Sequence, residues 1–263
     1  MNAKEYIKYL LSVEDYSFSL EEIARETDGN STSLKFELLR LAEKGEIINL
    51  RKGFYLIIPP RFSSIQKLPI QLYCEKLFRY LDRNYYIALF SAAKFHGAGH
   101  QQVQRDYVVT EGPKFKDISK NNIDIRFFTT TNSADRSIQT KKSDAGTYKV
   151  SNPALTIVDL IHYQTKLGGI NRILANIEEL SEELNESDLV ELLKWYPNKS
   201  TLQRFGFLLE ELGIMKDLQE LIFMDLKKTS FFPVLLSPKS NEKPGAVNNR
   251  WKVVINTTLE RDL

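Results

Sequence analysis

The stretch from Ser19 to Pro60 changes its hydrophobic period, and that change narrows the available folds more than any other feature of the chain. Ser19-Leu-Glu-Glu22 is a capping-box arrangement, in which serine and glutamate each satisfy a free backbone N–H at a helix start. The short helix behind it carries Leu20, Ile23 and Ala24. Thr27-Asp28-Gly29-Asn30 then reads as a turn, with Gly and Asn where positive φ is needed. Ser31 or Thr32 caps a third helix over roughly Thr32–Lys44, with Leu34, Leu38 and Leu41 as its buried stripe. Gly45 ends it, and the period falls to two. Residues 46–50 and 54–57 read as strands around the turn Arg51-Lys52-Gly53, and Pro59-Pro60 ends the ladder because proline has no N–H to give. A first helix over Lys4–Leu11 and a turn through Asp15–Phe18 precede this stretch. Three short helices plus a hairpin with a basic tip is the pattern of a winged helix-turn-helix over residues 1–62.

Such a unit suits DNA. A helix fits the major groove with its N-terminal residues facing base edges, while the hairpin tip lies against the backbone. Turning 100° per residue puts Ser33, Phe36, Arg40 and Glu43 opposite the buried stripe, flanked by Thr32 and Lys35. The expected DNA contacts are therefore Thr32, Ser33, Lys35, Phe36, Arg40 and Lys44, with Arg51 and Lys52 neutralising phosphates. Phe36, apolar on a wet face, is a candidate for a thymine methyl. Residues 1–62 hold nine Lys/Arg and ten Asp/Glu, but residues 31–62 hold six against three, so positive charge gathers on the contact half. A winged helix used only for protein contacts is the alternative.

Residues 63–263 form the second expected domain, of mixed α/β structure with a helical C-terminal half, so the fold class is α+β. Helices are expected over Pro69–Arg83 and Tyr85–His96, and strands over Arg105–Thr110, Ile123–Thr129 and Thr147–Ser151. Pro153 after Ser151-Asn152 marks a helix start. Helices follow over 153–166, 169–181, 187–195, 199–212 and 215–228, then a polar stretch over Ser237–Asn249 and a strand over Trp251–Asn256. Charge runs from +6 over residues 63–150 to −3 over 151–263. No apolar run approaches the ~18 residues a membrane span needs, and the N-terminus lacks a secretory pattern, so a cytoplasmic location with no membrane partner is the expectation.

Candidate catalytic sets are weak. Cys74 is the one cysteine, which excludes an intrachain disulfide; on an amphipathic helix it reads as core. His96 and His100 stand four apart, but Gly97 and Gly99 break the helix that would bring them together, so no metal site is expected. His162 reads as half-buried packing. Asp106, Glu111 and Lys114 suggest a metal-dependent nuclease set, with one residue too many between Glu and Lys and with Gly112-Pro113 breaking the strand. No catalytic residue or cofactor is expected, and the nuclease stands as the enzyme alternative.

Five segments in order resemble one family. They are LLRLAEKGEIINLRKGFYLIIPP, YYIALFSAAKFHGAGHQ, YKVSNPALTIVDLIHY, LQRFGFLLEELG and WKVVIN. They are similar to the AbiEi antitoxins, the transcriptional-regulator half of an abortive-infection (type IV) toxin–antitoxin system. The resemblance implies a cytoplasmic, non-enzymatic repressor that binds inverted repeats in double-stranded DNA at its own promoter through the winged helix. It also implies a domain from about residue 65 onward that counters a toxin with a nucleotidyltransferase fold in phage defence. The resemblance carries over no toxin-contact residues.

Overall fold

The computed structural model describes residues 1–27, 30–99, 104–131, 135–238, 245–248 and 250–260. The chain divides into two compact units. The first comprises Met1–Ile87, Gln104–Ser133 and Thr140–Val150; the second comprises Ala88–Val103, Ala134–Gln139 and Ser151–Leu263. The described residues form a mixed α+β fold with three sheets.

The first unit begins with α1 (Ala3–Ser12), β1 (Ser17–Ser19), α2 (Leu20–Glu26), α3 (Ser31–Glu43), β2 (Ile47–Arg51) and β3 (Phe54–Ile57). Ser19 caps α2 as its sequence requires: its hydroxyl accepts from Glu22 N at 3.1 Å, and Glu22 accepts from Ser19 N at 2.6 Å. Asn30, not Ser31 or Thr32, caps α3, accepting from Ser33 N at 2.8 Å. The expected turn at Asp15–Phe18 instead ends in β1, which lies antiparallel to β3 with Ser17 opposite Leu56 and Ser19 opposite Phe54. Leu34, Leu38 and Leu41 of α3 are buried against Tyr6, Ile7, Leu10, Phe18, Ile23, Ile47 and Ile57. Each such side chain removed from water contributes about 1.5–3 kcal/mol before entropy is charged against it. The Asp28-Gly29 part of the expected turn lies outside the described residues.

The same unit holds α4 (Cys74–Tyr80) and most of a six-stranded sheet of β4 (Tyr85–Ile87), β5 (Asp106–Glu111), β6 (Ile118–Lys120), β7 (Ile123–Thr130), β8 (Ile138–Ser143) and β9 (Gly146–Ser151). Their order is β6-β7-β5-β4-β9-β8. β5 and β7 run parallel from Asp106↔Ile125 to Glu111↔Thr130, whereas β4–β5 and β6–β7 are antiparallel. Two helix expectations are corrected. The segment Pro69–Arg83 is helical only from Cys74 to Tyr80, after a 3₁₀ turn at Ile70–Leu72. Tyr85–His96 is strand β4 followed by α5 (Leu89–Phe95), because the aromatic and β-branched residues Tyr85, Tyr86 and Ile87 fill a central sheet position.

The second unit holds α5, α6 (Pro153–His162), α7 (Gln164–Leu167), α8 (Ile170–Glu182), α9 (Glu186–Trp195), α10 (Lys199–Leu212) and α11 (Lys216–Lys227). Asn152 caps α6, accepting from Leu155 N at 2.9 Å, with Pro153 at the first helical position. Every residue of α6 from Pro153 to Ile161 is buried. The expected strand over Trp251–Asn256 shrinks to β12 (Val253–Val254), which lies between β10 (Val234–Leu235) and β11 (Val247–Asn248), because Lys252 takes φ +52°. No described helix is long and apolar enough to cross a membrane.

Candidate nucleic-acid interface

The face of α3 turned away from the core carries the side chains expected to meet DNA. Thr32, Ser33, Lys35, Phe36, Arg40 and Lys44 are all exposed. Phe36 is 60% exposed, and Leu39, one turn along, is 55% exposed. This face therefore combines cations, hydroxyls and two uncovered apolar groups.

The hairpin tip differs from its expected state. Lys52 is exposed. Arg51 is only half-exposed: its guanidinium carbon lies 4.9 Å from the centroid of the Phe115 ring, and its Nη1 is buried with no hydrogen-bond partner among the described residues. Phe115 itself packs edge-on against Phe127 of β7 at 5.6 Å and has Arg83 at 5.9 Å. Tyr80 of α4 holds the same tip, donating its hydroxyl to Lys52 O at 3.0 Å while its ring lies 5.3 Å from Phe54. Gly53 takes φ +77°, and a Cβ there would meet the Tyr80 hydroxyl at 2.7 Å. Lys76 adds a nearby tie, reaching Asp15 at 2.6 Å and Ser17 O at 2.7 Å. Sequence reasoning missed this docking, because Phe115 lies far along the chain within a polar turn.

The alternative nuclease set, Asp106, Glu111 and Lys114, does not assemble. Asp106 and Glu111 stand at opposite ends of β5, about 16 Å apart at ~3.3 Å per residue and on opposite faces. Asp106 lies 3.8 Å from Lys67, Glu111 accepts from Asn84 at 3.1 Å, and Lys114 lies 4.0 Å from Asp117. His96 Nε2 is 2.7 Å from Ser151 O; His100 lies outside the described residues. His162 is more exposed than its half-buried reading and sits 3.2 Å from Asn198 Nδ2. Among the described residues no group of His, Cys, Asp or Glu is placed to hold a metal. Burial pushes the Cys74 thiol up to about 12, against the smaller opposing effect of its contact with the Tyr85 hydroxyl, which leaves it an unreactive core residue. A polar cleft of about 560 Å³ beside Tyr85 is lined by Glu75, Asp82 and Glu111 and by Arg79, Arg83 and Lys149, so its charges cancel and select neither anion nor cation.

The second unit gives the segment LQRFGFLLE a structural task. Gln203 Nε2 donates to Trp251 O at 2.8 Å and to Phe232 O at 2.9 Å, and Arg204 Nε donates to Leu235 O at 2.8 Å. Gly206 lies against the Trp251 indole; a Cβ there would come within 2.1 Å of Cζ3. Glu210 accepts the indole N–H at 2.6 Å and pairs with Arg250 at 3.3 Å. α10 is thus a seat for the C-terminal segment, and its Arg, Gly and Glu are spaced for that packing. Residues 86–211 match the family described as the AbiEi antitoxin C-terminal domain. That segment belongs to the AbiEi antitoxin family. The family match spans nearly all of the six-stranded sheet and the helices α5 to α10, and it supports an antitoxin role.

Among solved structures, the chain is similar to the RV2827C protein from Mycobacterium tuberculosis, with a TM-score of 0.69 and 15% identity over 96% of this chain and 90% of that one. At that identity the likeness is one of fold. An antigenic nucleotidyltransferase-like protein from Paracoccidioides brasiliensis aligns at a TM-score of 0.38 and 10% identity, over 57% of this chain and 88% of that one. So low a score bears on neither fold nor activity. No curated protein matches the chain.

Proposed function

We propose that the chain is a DNA-binding antitoxin that represses its own toxin–antitoxin operon. In this reading residues 1–62 are a winged helix-turn-helix that binds inverted repeats in double-stranded promoter DNA. Residues 63–263 counter a nucleotidyltransferase-like toxin in cytoplasmic phage defence, without catalysis or cofactor. The observation that carries the reading is the antitoxin-domain match over residues 86–211. The exposed face of α3 supports its DNA-binding half, since Lys35, Arg40 and Lys44 stand free for phosphates and Thr32, Ser33 and Phe36 for base edges.

Gel-shift titration with duplex DNA from upstream of the reading frame, at two salt concentrations, tests it. Retardation that weakens steeply with salt is expected, because each neutralised phosphate releases counterions. Absence of retardation at low salt refutes the DNA-binding half. Rescue of growth when the chain is co-expressed with the nucleotidyltransferase-like product of the adjacent gene tests the antitoxin half. The adjacent exposure of Phe36 and Leu39 favours a second reading, in which α3 contacts protein rather than DNA. It predicts no retardation, and loss of a protein complex on Phe36→Ser.

A further inference from the structure

A guanidinium at the tip of a DNA-contacting hairpin has every reason to stay hydrated until a phosphate replaces the water. Arg51 does not. It is packed on Phe115 with Nη1 buried and, among the described residues, unbonded, an arrangement that forfeits hydrogen bonds which water or phosphate would supply. What holds it there is the face of one aromatic ring, with a second cation, Arg83, 5.9 Å from the same centroid. The backbone of the tip is fastened separately, by the Tyr80 hydroxyl on Lys52 O at 3.0 Å and by Leu20 N on Gly53 O at 2.8 Å, and neither bond involves the Arg51 side chain. Phe115, by contrast, is anchored from behind by Phe127 and does not depend on Arg51 for its position.

We propose that the Arg51–Phe115 contact is an autoinhibitory latch: it withholds Arg51 from the DNA backbone, and DNA binding proceeds through its opening. The proposal rests on the DNA-binding reading above and specifies how that site is regulated. An open tip adds one phosphate contact at the far side of the hairpin from α3. The apparent affinity of the closed protein is lowered by the fraction of molecules that are open. An interaction that secures the sheet face to Phe115, or one that loosens it, would then tune repression without touching α3.

The test is Phe115→Leu, which keeps an apolar side chain over Phe127 and removes the π face. A cation–π contact of this kind corresponds to roughly a threefold to thirtyfold change in an equilibrium. The variant should therefore bind upstream duplex DNA about threefold to thirtyfold more tightly than wild type. Its log–log salt slope should match wild type, because the bound state makes the same phosphate contact once the latch has opened, whereas Arg51→Ala should lower the slope by about 0.9. Phe115→Tyr, which keeps the ring, should behave as wild type, and adding Arg51→Ala to Phe115→Leu should abolish the gain. Labelling of Arg51 by phenylglyoxal, followed by peptide mass spectrometry without DNA, should accelerate in Phe115→Leu only. If wild type binds and Phe115→Leu binds no more tightly, the latch is overturned while the DNA-binding reading stands. If neither protein binds at low salt, the DNA-binding reading falls and the latch with it. An unchanged labelling rate overturns the latch whatever the DNA result.

Discussion

Gly206→Ala sets two opposing effects against each other inside α10. Alanine is favoured over glycine in a helix interior by about 1 kcal/mol, and Gly206 needs no positive φ. Against this, the new methyl would overlap three atoms of the Trp251 indole, at 2.1, 2.3 and 2.5 Å. Trp251 is fully buried, and its N–H and carbonyl are committed to Glu210 and Gln203, so it has no cheap way to retreat. Overpacking of this kind costs about 1–3 kcal/mol when the core shifts. If the indole leaves its seat instead, losing about 200 Å² of burial costs up to about 5 kcal/mol. The clash outweighs the propensity gain, and a net loss of about 2–3 kcal/mol is expected. Urea unfolding followed by tryptophan fluorescence reads it, since Trp195 and Trp251 both belong to the second unit. The decisive comparison uses Trp251→Leu, where the methyl has room and Gly206→Ala should be neutral or stabilising by up to about 1 kcal/mol. An equal cost in both backgrounds, or no cost in wild type, would refute the argument that Gly206 exists to admit the indole.

Asn30→Ala should destabilise the first unit by about 1 kcal/mol, seen as a lower urea midpoint, because Ser33 N loses its capping acceptor. Lys35→Ala and Arg40→Ala should each weaken DNA binding and reduce the salt slope by about 0.9, with melting unchanged. The Asp117 carboxyl would be raised by its burial. However, the Phe127 N–H at 3.0 Å, Arg126 at 3.1 Å and Lys114 outweigh this and hold it below the usual carboxylate range. Its contribution is therefore full above the ordinary carboxylate value and lost as pH falls through the lower folded value. Asp117→Asn should be less stable than wild type at neutral pH, and the gap should close on acidification. A gap that widened in acid would contradict this sign.

The elements that sequence made legible share a local cause. The capping box at Ser19, the Leu34–Leu38–Leu41 stripe, Pro153 behind Asn152 and the helix over 199–212 depend on residues within one or two turns of each other, and each forms within a residue or two of expectation. The errors share the opposite cause. Tyr85–Ile87 is apolar in a way that suits helix or strand, and only its neighbours β5 and β9, contributed from distant parts of the chain, make it a strand. Ser17–Ser19 becomes a strand because β3 lies beside it. The exposed α3 face was readable from angular position alone. The packing of Arg51 is not legible in the sequence, because it is set by Phe115, sixty-four positions on, which nothing near Arg51 announces.

The same distinction limits where an antitoxin surface within residues 86–211 can lie. α6 is buried from Pro153 to Ile161, and α10 is buried from Thr201 to Leu209. Side chains in these helices face the unit's own interior, so their sequence signal reports packing against α5, α8 and the Trp251 segment. Substituting them lowers the amount of folded protein and lowers antitoxin activity only through that loss. A toxin-facing group has to come from outward positions such as Glu178 and Glu182 of α8 or Glu186 and Lys194 of α9, which are exposed. Charge reversal at Glu178 and Glu182 should leave the urea midpoint within about 0.5 kcal/mol of wild type. If rescue from the toxin is nevertheless lost, neutralisation involves direct contact on this face. If rescue survives reversal at every exposed position of α8 and α9, the antitoxin surface lies elsewhere in the matched segment, and the acidic face of these helices serves solvation alone.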